Sequence, residues 1–464
     1  MLQNISIPNT KNPPKHWQVL TLCWLFAILY GVWLLPHTVF VRNVCLVGGA
    51  LLSLPIIAAN WRLFFQRAAA PIWLIALLLI WVTIHLFFIG QDFNRQYLEY
   101  VTIWKRVAIG CLFALGLGLG IGQTINQRES KTYWAIIYFG LLLPTVIYFF
   151  KFSLGLVAPK YGIELSHYLL LNPDHMNDSY GIARTVYVFF CLPAMAVGLG
   201  CIAYELRSSE FRWRKVWIYL LSVPLTLGVF ANEGDRLGSA YGFLALGIFI
   251  FISIVKSTKR KNFYVPLIIV CTLLVTSTLI AKKMTYQNPA WQTLWVDAKV
   301  AVQVDRYDGW RTRIMPLNEL GTPVNASNYE RISWATAGGR LLLHNPFGYG
   351  LLSLSFGGLG KQVWPNADIS WTHSAWLDFA LGYGFPGLLL IWSALFLAWR
   401  RSKGLQRPWR ALGRWGLFIA AAVMFTKEIS TEVVVNAMIF MVILVSAINL
   451  SAARHFVSPQ SLSD

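Results

Sequence analysis

Stretches of roughly 20 apolar residues recur along this chain, and that is the length a helix needs to cross the hydrocarbon of a bilayer. They begin at Trp17 and continue almost to the C-terminus. Candidate spans fall at about 17–35, 43–60, 71–90, 107–122, 132–151, 182–204, 216–232, 238–255, 263–281, 374–398, 414–427 and 433–451. The chain is 56% hydrophobic and 13% charged, whereas soluble domains carry about 25% charged residues. The expected fold is therefore an all-α integral membrane protein of about twelve transmembrane helices. The spans at 216–232, 238–255 and 414–427 are the shortest or most interrupted.

The loops orient the set. Arg62 and Arg67, Arg128 and Lys131, Arg207 to Lys215, Lys256 to Lys261, and Arg400 to Arg414 form basic loops of one parity. Basic loops stay in the cytoplasm, so both termini are expected inside. The formal charge of +19 then reflects topology, with no nucleic-acid partner. The 21 Trp and 19 Tyr suit helix ends at the headgroup level. No small-residue cleavage site follows the first span, which reads as a retained helix. The cysteines form no C-x-x-C pair and fall in or beside apolar runs, as small buried hydrophobes.

Two extracytoplasmic segments are long, at about 152–181 and 281–373. The chain so divides into nine helices over 1–280, a large, partly helical periplasmic loop over 281–373, and three helices with a cytoplasmic tail over 374–464. In the loop, Trp291, Leu294, Trp295, Ala298 and Val302 recur at helical spacing, the pattern of a helix lying on a membrane surface. Ser327-Asn328-Tyr329-Glu330 reads as a capping box. It predicts a helix to about Leu343 that ends near Asn345-Pro346, with Arg331, Trp334, Ala335 and Gly338 on one face. The glycine-rich stretches 347–350 and 357–360 read as irregular backbone draped over the membrane face.

Residues able to carry chemistry concentrate on this side. His373, where the loop re-enters the membrane, can take a proton near neutral pH, or can merely hydrogen-bond at the interface. Arg236, in a tight turn with Glu233 and Asp235, can clamp phosphate bidentately, or can pair with those carboxylates. Arg331 can do the same or pack on Trp334. Arg184 and Arg340 are weaker phosphate candidates, since helix-end arginines often snorkel. Glu233 with Asp235, and Asp174-His175 with Asp178, make a poor metal signal, and no metal or other cofactor is expected. Lys427, Glu428 and Glu432 suit pairing with one another. The chain has no P-loop, dinucleotide fingerprint, G-x-S-x-G or H-E-x-x-H. A reaction outside the cytoplasm would need an already activated substrate.

Three motifs carry a resemblance. Arg331-Ile332-Ser333-Trp334 with His344-Asn345-Pro346-Phe347-Gly348-Tyr349-Gly350 resembles the loop signature of the O-antigen ligase and polymerase superfamily. His373-Ser374-Ala375-Trp376-Leu377 with Gly384-Phe385-Pro386-Gly387 resembles its His and G-x-P-G motif. Gly234-Asp235-Arg236-Leu237-Gly238 resembles its short arginine turn, with Asp where Ser is usual.

The resemblance implies a GT-C-like membrane glycosyltransferase of the bacterial inner membrane whose active site faces the periplasm. It implies undecaprenyl-diphosphate-linked O-antigen as donor, lipid A–core oligosaccharide as acceptor, and inverting, metal-independent transfer among membrane lipids. By position, His373 matches the family's essential His, while Arg236 and Arg331 match its essential arginines. The motifs leave open a polymerase or a protein O-oligosaccharyltransferase of the same superfamily. A transporter or flippase for a lipid-linked glycan, or a non-catalytic scaffold, remains a rival of another class.

Overall fold

The computed structural model describes residues 14–171, 181–207, 212–257, 271, 275, 278, 290–426 and 432–453. Among the described residues, these α-helices precede the loop: α1 (His16–Val32), α2 (Val39–Ala59), α3 (Ala70–Ile84), α4 (Phe93–Glu99), α5 (Lys105–Gln123), α6 (Glu129–Val157), α7 (Arg184–Glu205), α8 (Trp217–Asn232) and α9 (Arg236–Ser257). The loop holds α10 (Ala290–Ala301), α11 (Gly309–Thr312), α12 (Ala326–His344) and α13 (Ser355–Val363). It is followed by α14 (Ala375–Arg401), α15 (Leu417–Val423) and α16 (Glu432–Ala452). Among the described residues no strand forms beyond an isolated bridge between Leu317 and Pro323.

Eight of the described helices are long and apolar enough to cross a membrane, and α1 and α8 are shorter apolar helices. The chain is an all-α, multi-pass membrane protein by this measure. Apolar character all round a helix suits the middle of a bundle. Accordingly α7 and α16 are almost wholly enclosed, while α2 and α3 turn most of their apolar surface outward, as lipid-facing helices do.

The two ends of the bundle differ in charge. Arg401 donates to the carbonyls of Arg67 and Ala68, Arg407 approaches Glu205, and Trp409 donates to Ser130. The described basic loops near Arg67, Ser130 and 401–409 therefore gather at the Glu205 end of α7. The Arg184 end of α7, about 33 Å away for a helix of this length, meets the α8–α9 turn at Glu233. That end carries the 290–373 segment, which has its own core of Trp310, Tyr329, Trp334, Leu341, Phe356 and Leu359, closed by Ala380 and Leu381 of α14.

Several sequence expectations need correction. Of the 414–427 span the described helix, α15, ends at Val423 and continues from a wider helical turn over Leu412–Gly416. Gly413 there lies so close to Ser402 that a Cβ would collide. The 357–360 stretch is regular helix inside α13, because its glycines let the helix press against Ile369, Ser370 and the Tyr349 ring. The cap of α12 is Asn325, whose side chain accepts from the Asn328 N–H, so the helix starts before Ser327. Glu330 is not the return half of a capping box; it binds Arg313. Cys271 is exposed, unlike Cys23, Cys45, Cys191 and Cys201. The expected span 263–281, the Asp174-His175-Asp178 group and the Lys427-Glu428 pair lie outside the described residues, save Cys271, Val275 and Thr278.

The expected surface helix falls on α10. Asp297, Val300 and Ala301 face inward, while Leu294, Trp295 (76% exposed) and Val302 line the opposite, open side. An apolar stripe on the open side is the arrangement suited to a lipid surface.

Candidate functional site

The site is built along one face of α12. Its first turn presents Ser327 and Asn328, its second Arg331, and its third Trp334, over about 10 Å of helix axis. Arg236, at the first turn of α9, donates to Ser327 Oγ (3.1 Å) and to Asn328 Oδ1 (3.2 Å). The Arg331 guanidinium lies near enough for its charge to oppose that of Arg236. Among the described residues neither arginine has a carboxylate within ion-pairing distance. Two like charges acting on one another at one site favour a multivalent anion there.

The carboxylates of the α8–α9 turn make their hydrogen bonds with other groups, although the Asp235 charge still favours that of Arg236. Asp235 Oδ1 accepts from the Gly238 N–H (2.9 Å), which is the work of a helix cap. Ser is an equally good cap at such a position. Glu233 accepts from the Tyr148 hydroxyl (2.9 Å) and faces Arg184 at 3.8 Å. Asn328 also donates to Asp297 Oδ2 (3.1 Å). Asp297 is fully buried and further receives Thr293 and Asn318. One amide so links a buried carboxylate to the Arg236 guanidinium.

His373 stacks on Trp334, with ring centroids 5.1 Å apart and planes 14° apart, and the Trp371 ring meets it edge-on at 6.1 Å. Its backbone is left-handed, at φ 58°, a conformation rare outside glycine though more common for His, Asn and Asp. The neighbouring contacts hold that turn in place. Asp378, buried in the first turn of α14, accepts from both the N–H and the hydroxyl of Thr372 at 2.8 Å. Ser374 caps α14. Gly338 lets α12 approach Thr372, Leu377 and Leu381 at distances a Cβ would not tolerate.

The glycine motifs explain the position of the whole assembly. α14 breaks at Gly384, with φ 69° and ψ −175°, ahead of Pro386. Carbonyls near the break accept from the loop: Tyr349 N–H donates to the Leu381 carbonyl and Gly350 N–H to the Gly382 carbonyl, both at 2.8 Å. Phe385 N–H returns to Pro346 at 2.9 Å. Gly348, at φ 86°, sits against the Gly382 carbonyl. His85 on the far side holds Phe347 O at 2.9 Å, and Glu99 accepts from Leu352 N–H. The two glycine-rich motifs thus dock on each other and hang α12 above α14.

The structure brings Arg236, Arg331 and His373 to one face of α12, with Arg184 nearby through Glu233. It does not bring in Arg340. That residue lies about two and a half turns beyond Arg331, on the other side of α12, where Asp305 takes its guanidinium (2.7 and 2.8 Å). Sequence reasoning passed over Asp297 and Arg313. A lone acid on the inward face of an apolar-patterned helix was the available signal for Asp297. Arg313 lies in no motif. Its guanidinium sits 5.2 Å from the Trp334 ring centre, and it pairs with Glu330 and Asp368. Burial opposes its charge, but the two carboxylates outweigh burial and hold it above its ordinary value.

No known family's sequence model matches this chain, and no curated protein matches it significantly.

Proposed function

We propose that this chain is an inner-membrane glycosyltransferase that moves O-antigen glycan from undecaprenyl diphosphate to a sugar hydroxyl of lipid A–core on the periplasmic side, completing lipopolysaccharide. In this reading the helix count is about twelve, both termini are cytoplasmic, and the 281–373 loop faces the periplasm. One observation carries it: two arginines without carboxylate partners among the described residues share a helix face with a histidine held in a constrained turn.

The chemistry follows from those groups. The acceptor oxygen attacks the anomeric carbon as its proton passes to an imidazole nitrogen of His373. The bond from that carbon to the phosphate oxygen breaks, and the electron pair leaves with the diphosphate. Arg236 and Arg331 oppose the negative charge that gathers there. A single direct displacement inverts the anomeric centre and needs no carboxylate nucleophile. Arg184 is a secondary contact to the same phosphate. Arg340, engaged by Asp305, falls away from the diphosphate role.

The first test is His373→Ala in the native host, read as lipopolysaccharide on a gel beside a blot of carrier-linked glycan. At normal protein level, the expected result is unextended lipid A–core with long polymer still on its carrier. Core bearing a single repeat unit would assign a polymerase instead. An unchanged ladder would remove His373 from the chemistry.

A further inference from the structure

We propose that Arg313 is a positioning residue for His373, acting through the Trp334 ring that both of them contact; this rests on the transfer reading given above. Three sets of contacts point to it. The first is the pair of ring contacts, guanidinium to Trp334 at 5.2 Å and imidazole to Trp334 at 5.1 Å in near-parallel planes. The second is the anchoring of the indole itself, whose Nε1–H donates to the Trp310 carbonyl at 2.8 Å. With one edge hydrogen-bonded and a cation against it, the indole plane is fixed, and the stacked imidazole inherits that plane.

The third is the placement of the two carboxylates that hold Arg313. Glu330 (2.7 Å) is one turn before Trp334 on α12, and Asp368 (3.3 Å) lies in the segment that leads into Trp371-Thr372-His373. The Asp368 N–H also donates to the Arg311 carbonyl at 3.0 Å. Arg313 therefore ties the helix that carries Arg331 and Trp334 to the stretch of chain that leads to His373. Its own backbone is left-handed, at φ 62°, a second non-glycine residue in that region within the same cluster. The Arg313–Asp368 pair is exposed at both ends and by itself contributes little to stability, so stability alone gives no reason for that second carboxylate. A base displaced by an ångström loses about a hundred-fold in rate.

The test is a double-mutant cycle on the full-length protein in lipid vesicles, with undecaprenyl-diphosphate glycan as donor and lipid A–core as acceptor. Arg313→Ala is expected to lower kcat about ten- to a hundred-fold with the KM of donor and acceptor unchanged. In a Trp334→Leu background the same substitution is expected to do almost nothing, because the ring that transmits it is gone. A wild-type kcat for Arg313→Ala, or an equal loss in both backgrounds, overturns the proposal. Arg313→Gln removes the cation while keeping a long polar side chain and is read for the same two outcomes if the alanine variant does not accumulate. His373→Ala is run in parallel. If that variant is active, the transfer reading itself fails, which is a different result from an active Arg313→Ala beside a dead His373→Ala.

Discussion

Arg331 and Arg340 are two arginines of one helix, and their surroundings separate them: Arg331 shares a face with Trp334 and His373, while Arg340 is held by Asp305. Arg331→Ala or Arg236→Ala is expected to lower the transfer rate by about a hundred- to a thousand-fold, the loss typical of removing one charge-stabilising donor. Arg340→Ala is expected to stay within about two-fold, in keeping with the small weight of an exposed pair. Parallel rate measurements check both, and equal losses at 331 and 340 would contradict the assignment. Asp297→Ala removes the carboxylate that accepts from the buried amides of Asn318 and Asn328. It is expected to destabilise the protein by about 1–3 kcal/mol, read as a lower thermal midpoint. At this scale the sequence carried His373, Arg236 and Arg331, because each sits in a short local motif. It did not carry Arg313, whose partners Glu330 and Asp368 are brought in by tertiary folding. Nor did it show that Asp305 takes Arg340.

Elements tell a similar story of local signals overridden by packing. The end of α12 was legible because Pro346 cannot follow a helical residue freely. Its start was not, because Asn325 and Ser327 are both good caps and only Asn325 accepts from a first-turn N–H. Glycine propensity argued against helix at 357–360, yet propensity is a weak prior and close contact with Ile369 and Tyr349 decides α13. The glycines at 348 and 384 do need their freedom. Gly384→Ala is expected to destabilise by about 1–3 kcal/mol or more, since it adds a left-handed strain to a collision with the Pro346 carbonyl. Thermal unfolding in detergent checks it, and a melting point equal to wild type would refute the docking of the two glycine motifs. Asp235→Ser should keep the cap of α9 and change stability by only a few tenths of a kcal/mol, whereas Asp235→Ala should lose about 1 kcal/mol.

For the molecule as a whole, hydrophobic run length carried the class of fold, since a helix of bilayer length needs no tertiary information to be recognised. Around α15, one of the spans read as most interrupted, the helix widens at Leu412–Gly416, a detail that run length alone does not report. Loop charge predicted one basic end, and the contacts of Arg401 and Arg407 gather those loops together. Single cysteines at Trp295 and Lys361, in a background without the six native cysteines, should react with a membrane-impermeant thiol reagent applied from the periplasm. One at Lys403 should not, and labelling of Lys403 from that side would reverse the topology.

The most direct measurement is glycan transfer by the purified protein in vesicles containing only undecaprenyl-diphosphate glycan and lipid A–core, with a chelator of divalent metals present. Transfer by the wild-type protein, with an inverted linkage and its loss in His373→Ala and Arg331→Ala at equal protein, is the expected result. No transfer by well-folded wild-type protein, or full transfer by the His373→Ala variant, would contradict the assignment of this helix face to the reaction.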